Sequence, residues 1–294
     1  MAVWFFLPVK LTNFDFSCML YKHDGKFPYL AIKSFEAKAY EARQQAKFLT
    51  IVYAPIVTSE TTWLAFSKEN RNWIQESKYT YDQLEPGYNR ASEPLPLPLD
   101  DVVWSFSDQN TLTQRKGRGI FAPSFMISPP PVISNSTYEN IDLFSNTACK
   151  EVSVAAVTLN DSVFAGFSND FTAWVDGILG AEHHQMIHDS LHPESRTNRF
   201  SHPHTLTAQP VYDSLSRETK VVGYLFSVFA WDSIFVNLLP EGINGIIVVI
   251  RNTCGEFYTY VLNGNEVRAV DAQPRDLQTL FYCHLNFSTS LLFN

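Results

Sequence analysis

The run Val221-Val222-Gly223-Tyr224-Leu225-Phe226-Ser227-Val228-Phe229-Ala230-Trp231-Asp232 places the tightest limit on how this 294-residue chain folds. β-Branched and aromatic residues fill it without polar alternation, so it offers no face to water and reads as a strand buried on both sides. Upstream, Gln209-Pro210-Val211-Tyr212 reads as a neighbouring strand, with the polar stretch from Asp213 to Lys220 as the turn between them. Downstream, Ser233 to Leu239 is expected to be helical and Pro240-Glu241-Gly242 to stop it. An apolar strand from Gly245 to Ile250 follows, then the polar turn Arg251-Asn252-Thr253-Cys254-Gly255 and an aromatic strand from Phe257 to Leu262. The expected class is α/β, of the α+β kind, with antiparallel central sheets.

Earlier in the chain, Phe35, Ala39, Ala42, Ala46 and Leu49 recur at steps of four and three between charged residues. This spacing predicts a long N-terminal amphipathic helix over 34–49, with Ser34 as N-cap. Its narrow apolar seam fits pairing with the same helix of a second copy as well as packing on its own domain. Phe48 to Val57 reads as a strand. Thr58-Ser59 would then cap a helix carrying Trp63, Phe66, Trp73 and Ile74. Prolines 86, 94, 96 and 98 make Glu85 to Leu99 irregular, because each removes a backbone donor. Ile120 to Ile127, Asn140 to Phe144 and Val152 to Leu159 are expected as extended segments, and Phe171 to Leu191 as helix. These readings divide the chain into an unassigned segment 1–33, a helix plus first lobe 34–131, a second lobe 132–272 and a tail 273–294.

A formal charge of -8, with 22 Lys and Arg spread along the chain, argues against a nucleic-acid groove, which needs clustered positive charge. Cys18, Cys149, Cys254 and Cys283 lack the close spacing of zinc or redox motifs. Their number fits two disulfides in any of three connectivities, or buried free thiols. Three Asn-x-Ser/Thr triplets, at Asn135, Asn160 and Asn286, are usable only in the secretory pathway. Val3 to Leu7 is too short to span a bilayer and has no basic start. Val221 to Leu239 contains Asp232 and Asn237, so a core strand followed by a helix is the better reading and the chain alone is expected to be soluble.

His184, His188 and His192 would share one face of a helix, the spacing of a metal chelate. No Glu sits between them in the H-E-x-x-H manner, and Pro193 ends the helix, so a solvated face is the plainer reading. No G-x-S-x-G nucleophile turn occurs. Gln114-Arg115-Lys116-Gly117-Arg118-Gly119 lacks the order of a phosphate-cradling loop and reads as a surface hairpin turn. No cofactor motif is found. For a ligand site the candidates are Gln209 and Tyr212 on one strand, Tyr224 and Trp231 on the next, Asp232 at its end, and Arg251 after the following strand. Apolar walls with a few polar tips are what small-ligand sites need, and Arg251 is placed to meet Asp232 or a ligand carboxylate. Tyr53 and Phe125 mark a second possible location in the first lobe.

Several of these segments resemble a known family. They are Tyr53-Ala54-Pro55-Ile56-Val57-Thr58, Asn70-Arg71-Asn72-Trp73-Ile74-Gln75-Glu76, Gln209-Pro210-Val211-Tyr212, Val222-Gly223, Trp231-Asp232, the stretch from Asn237 to Ile246, and Arg251-Asn252-Thr253-Cys254-Gly255 through Tyr260. Together they resemble the CHASE-like extracellular sensor of algal receptor-type adenylate or guanylate cyclases. The resemblance implies two PAS/Cache-like lobes that bind a small molecule or peptide, outside the plasma membrane, in a membrane-anchored parent. The parent's anchors would lie ahead of position 27 and after about position 280, and helix 34–49 would be the stalk leaving the membrane. Cyclase catalysis needs metal-binding carboxylates in a separate domain, which no segment here resembles. On this reading the chain is not an enzyme and needs no cofactor. Two alternatives stay open: a secreted metal-dependent hydrolase using the His184, His188 and His192 face, and an ectodomain that binds no ligand and acts only through dimerisation.

Overall fold

The computed structural model describes residues 27–86, 102–107, 112–131, 139–159, 163–168, 204–214, 219–236, 238–240, 242–251, 257–264 and 266–273. Its centre is the strand expected from the apolar run, β8 (Val221–Ala230), buried along nearly its whole length. A strand with two apolar faces is stable only when flanked on both edges and covered on both sides. The chain meets this by pairing β8 with β1 (Thr50–Pro55) on one edge and β7 (His204–Tyr212) on the other. Strands β4 (Met126–Ser128) and β6 (Val163–Ser168) extend the sheet to the order β4-β1-β8-β7-β6, antiparallel throughout. The fold is thus mixed α/β with antiparallel sheets. The boundary expected near position 132 does not separate one sheet from another, since β4 and β1 come from before it and β6, β7 and β8 from after it.

Helix α1 (Phe35–Ala46) lies against the β4 edge and buries Phe35, Glu36, Ala39, Ala42 and Arg43. The seam that a second copy would have shared is therefore used within the chain. Ser34 is not the expected cap: it adopts a left-handed conformation (φ 55°) and its side chain makes no capping bond. Lys47 is left-handed too (φ 59°), so the helix stops short of Leu49, whose amide donates to the Val228 carbonyl at 2.7 Å as the chain enters β1. Ser59 does cap α2 (Glu60–Glu69), accepting from the Thr62 amide. The single helix expected there is two. α2 ends at Asn70, whose side chain donates to the Phe66 carbonyl at 2.9 Å, and α3 (Trp73–Leu84) packs on α1.

Two further expectations need correction. Val152 to Leu159 is not extended but belongs to α4 (Thr147–Leu159), whose first turn is held by Asn146 accepting from the Cys149 amide at 3.1 Å. Cys149, Val152, Ser153 and Ala156 are buried at helical spacing, and this periodicity outweighs the strand preference of the valines. Ile120 to Ile127 is mostly irregular. Only isolated bridges at Phe121 and Pro123 precede β4, because proline has no donor for a ladder. A small sheet joins β2 (Trp104–Phe106), β3 (Leu112–Gln114) and β5 (Ile141–Asp142), followed by the 3-10 turn Leu143–Ser145. Beyond β8, the short helix α5 (Trp231–Phe235) starts earlier than expected and leads to a hairpin sheet of β9 (Ile246–Arg251), β10 (Phe257–Asn263) and β11 (Glu266–Gln273). No helix among the described residues is long and apolar enough to cross a membrane. The expected helix from Phe171 to Leu191 lies outside the described residues.

Two charged side chains fasten α1. Arg43 Nε donates to Ser128 Oγ at 2.9 Å, Ser128 Oγ donates to Glu36 Oε1 at 3.1 Å, and Arg43 Nη2 reaches the same oxygen at 3.4 Å. All three residues are buried, and the guanidinium lies 5.5 Å from the Tyr40 ring and 5.8 Å from that of Tyr81. Removing one partner leaves a buried charge uncompensated, whereas replacing both does not. Arg43→Met is expected to destabilise the protein by about 3–5 kcal/mol, and Glu36→Met with Arg43→Met to recover most of that loss in urea unfolding. Gly223 has a steric role. A Cβ there would meet the Ala54 carbonyl oxygen at 3.0 Å, Tyr53 Cε2 at 3.1 Å and Pro55 Cα at 3.2 Å. Gly223→Ala should cost about 1–3 kcal/mol by forcing the central strands apart, read as a lower thermal midpoint.

Candidate functional site

Strand alternation and register assign every side chain of β1, β8 and β7 to one of two faces. Tyr53 stands opposite Leu225 and Gln209, and Ile51 opposite Ser227 and Thr207. These residues share the face on which Ser128, opposite Ile51, holds α1. Tyr224, opposite Ala54 and Pro210, is on the other face, where the Phe144 ring meets it at 5.7 Å. Tyr212 adds to the electrostatic load on the Tyr224 phenol, so these two are neighbours. Gln209 is therefore on the opposite side of the sheet from Tyr224. Gln209 and Tyr224, expected to share one cavity, thus face away from each other.

Trp231 and Asp232 sit where β8 passes into α5. The Trp231 indole donates to Thr205 Oγ1 at 2.6 Å and its ring meets Phe229 at 5.0 Å, on the same face as Tyr53. Asp232 is buried, and its Oδ1 accepts from the Ser233 amide at 2.9 Å. Its charge acts on Tyr260 of β10, whose phenol is buried and whose ring packs on Phe235 at 5.1 Å. The Phe235–Tyr260 ring contact brings α5, at the end of β8, against the hairpin sheet. Arg251 ends β9 opposite Phe257, and its side chain lies outside the described residues, as do His184, His188 and His192. Among the described residues no group of three or more His, Cys, Asp or Glu is placed to hold a metal ion.

Other charged clusters are structural. Asp142 accepts from the Ala122 and Phe144 amides at 3.1 and 3.0 Å and from Arg115 Nε at 3.2 Å. Arg115 lies over the Phe121 ring at 4.5 Å and donates to the Gly117 carbonyl at 2.7 Å. The basic turn at 114–119 is thus a surface loop, though not the expected hairpin, since β3 pairs with β2 and β4 with β1; its one inward-turned arginine locks it to β5. Arg71 pairs with Glu139 at 3.0 Å, and burial still raises the Glu139 carboxyl above its usual range. Cys149 is a buried free thiol, pushed up to about 12 by burial and then by the Asp142 charge. The other three cysteines lie outside the described residues.

Sequence reasoning named Tyr53 only as a second possibility, and the geometry gives it more weight. Its side chain is fully buried, its ring leans over Gly223, and its hydroxyl has no hydrogen-bond partner. Burial holds the phenol protonated well above the usual tyrosine range, so it is a donor at neutral pH. Thr207 and Ser227, also buried, stand side by side in the register on the same face. The face thus offers several hydroxyls and the half-buried Gln209 amide within an otherwise apolar core. No family model matches the chain, and no curated protein matches it.

The buried phenols and the thiol set the alkaline limit of stability. Tyr224 is pushed up to about 12 by burial and then by Tyr212, and Tyr53 and Tyr260 are raised by burial as well. Such groups keep their protons in the fold after the unfolded chain has lost them, from about pH 8.5 for Cys and about pH 10 for Tyr. These groups add no pH dependence below that range, and through them stability should fall as pH rises toward about 12, by about 1.4 kcal/mol per pH unit for each group in its window. Urea unfolding across alkaline pH tests this, and Cys149→Ala should remove the earliest portion of the fall.

Proposed function

We propose that this chain is a ligand-sensing domain of the PAS or Cache kind, which binds a small molecule or peptide and passes the event on through its terminal helix. One observation carries the reading. Counting β1, β4, β6, β7 and β8 as first to fifth, the main sheet runs 2-1-5-4-3, antiparallel throughout, with α1 ahead of its first strand and packed on its edge. This is the strand order of PAS and Cache sheets, and chance alone would seldom produce it from strands so scattered in sequence. The observation supports at least one such lobe, built from strands on both sides of position 132, with a three-stranded hairpin sheet beside it.

The resemblance to receptor-type nucleotide cyclases supplies the rest of the proposal. The parent would be a membrane-anchored adenylate or guanylate cyclase receptor, with this domain on the extracellular side and catalysis in a separate cytoplasmic domain. A ligand moves such a receptor only through a difference in affinity between two arrangements of the domain. α1 is the natural output, because it sits at the sheet edge and is held there by a polar clasp that has one satisfied geometry.

A thermal-shift screen of the purified chain against small metabolites and short peptides tests the proposal. The expected result is a compound that raises the midpoint and alters amide hydrogen exchange in residues 35–46. At a hundredfold excess over Kd, binding to the folded state alone stabilises by about 2.7 kcal/mol, which a melt resolves easily. A compound that binds without changing exchange in α1 would refute signalling through the helix, and the absence of any binder would refute the sensor.

A further inference from the structure

We propose that the sheet face carrying Tyr53, Gln209, Thr207 and Ser227 is a binding site for a small uncharged molecule, whose carbonyl oxygen accepts a hydrogen bond from the Tyr53 hydroxyl. The inference rests on the sensor reading and deepens it by giving the site a location and its ligand a chemistry. Three observations carry it.

The Tyr53 hydroxyl is the first. It is fully enclosed and makes no hydrogen bond, although a buried donor without an acceptor is disfavoured and the great majority of such groups in folded proteins are paired. The position of the ring is also built in, because Gly223 is the residue that lets it lie on the neighbouring strand.

The second is the setting. Across the register, Thr207 and Ser227 stand opposite each other and Gln209 stands in the row of Tyr53, so these three polar side chains share the face of Tyr53. The other side carries Val52, Val222, Phe226, Val228, Leu206 and Ala208, with the buried Thr50, Tyr224 and His204 among them.

Charge is the third. Over Ile51–Pro55, Gly223–Phe229 and Thr205–Val211 this face presents no ionisable side chain other than Tyr53. Of the buried charges on the same side, Glu36 and Arg43 are committed to each other and to Ser128 at the β4 edge, and Lys78 lies on α3, which packs on α1 and β4. An ion on this floor would be desolvated without a counter-charge, whereas a neutral amide, ketone or lactone exchanges water for hydroxyl partners.

The probe is N-methylacetamide, with acetate and methylammonium as charged comparisons, titrated into the full chain carrying tyrosine labelled with carbon-13 at the ring carbon bonded to oxygen. The Tyr53 signal is identified by its loss in Tyr53→Phe. The expected result is a saturable shift of that signal with N-methylacetamide and none with either ion. Binding followed by saturation transfer should be about fivefold weaker or more in Tyr53→Phe, the size of one neutral hydrogen bond. Thr207→Val keeps the side-chain shape and gives an independent variant, expected to weaken binding while leaving the melting transition cooperative. A Tyr53 signal unmoved by N-methylacetamide overturns the site. So does equal binding to wild type, Tyr53→Phe and Thr207→Val, and that result leaves the sensor reading standing with its ligand elsewhere. The sensor reading itself stands or falls on the broader screen.

Discussion

The need to bury β8 on both faces and both edges organises the rest of the molecule. Ten residues without a solvated side cannot sit at the margin of a sheet, so two strands distant in sequence, β1 and β7, must be brought to flank it. Once they are there, each face needs its own cover. α1 and α3 approach from the β4 edge, while the 3-10 turn after β5 and then α4 continue along β7 and β6. Burial of each large apolar side chain contributes about 1.5–3 kcal/mol against the ordering of the chain, and Phe226, Phe229 and Trp231 all lie in or beside this strand. The same constraint explains Gly223, where the close approach of Tyr53 and the β1 backbone leaves no volume for a side chain.

Polar contacts then select one arrangement among the compact ones that apolar burial alone would permit. Glu36, Arg43 and Ser128 seat α1 in a single register on the sheet edge. Asp142, fed by two backbone amides and Arg115, closes the chain around β5, and the Trp63 indole donating to Asn140 at 2.7 Å ties α2 to the same loop. Buried ionic groups of this sort add little net stability compared with apolar residues of the same volume. A shifted helix would leave a charge buried and unpaired, so these contacts disfavour it.

The features of the fold legible in the sequence were those with a local periodic signal. β8 and β1 could be read from their apolar runs, α1 from its seam, and the Ser59 cap from its place before an amphipathic segment. The α4 valines misled because strand preference is local while burial at 149, 152, 153 and 156 depends on what the helix meets. The break between α2 and α3 turns on three polar residues, Asn70, Arg71 and Asn72, that fit equally well inside a helix on paper. Pairing across position 132 had no sequence signal at all, since antiparallel register between distant strands leaves no mark in either one. The candidate site followed the same rule. Gln209 and Tyr224 looked like partners because their strands are neighbours, yet only the register shows that they face apart. Tyr53 went undervalued because the isolation of a buried hydroxyl is a property of tertiary structure.

One geometric relation links the proposed site to the proposed output. Ser128, Ile51, Ser227 and Thr207 form a single row across β4, β1, β8 and β7, side chains on the same face. One end of the row is the hydroxyl that Arg43 and Glu36 grip, and the other end is the floor beside Tyr53. Directly opposed side chains interact across neighbouring strands, so on the proposed reading a change in twist at β7 and β8 reaches β4 along this row. A helix held chiefly by apolar contact would absorb such a change by small adjustments of packing. A helix held through Ser128 by hydrogen bonds at 2.9 and 3.1 Å has less latitude, because those bonds weaken over a few tenths of an ångström and lose their angle as the serine turns. On the proposed reading, this polar clasp is what would make α1 respond to the state of the sheet beneath it, the property a sensing domain requires of its output element.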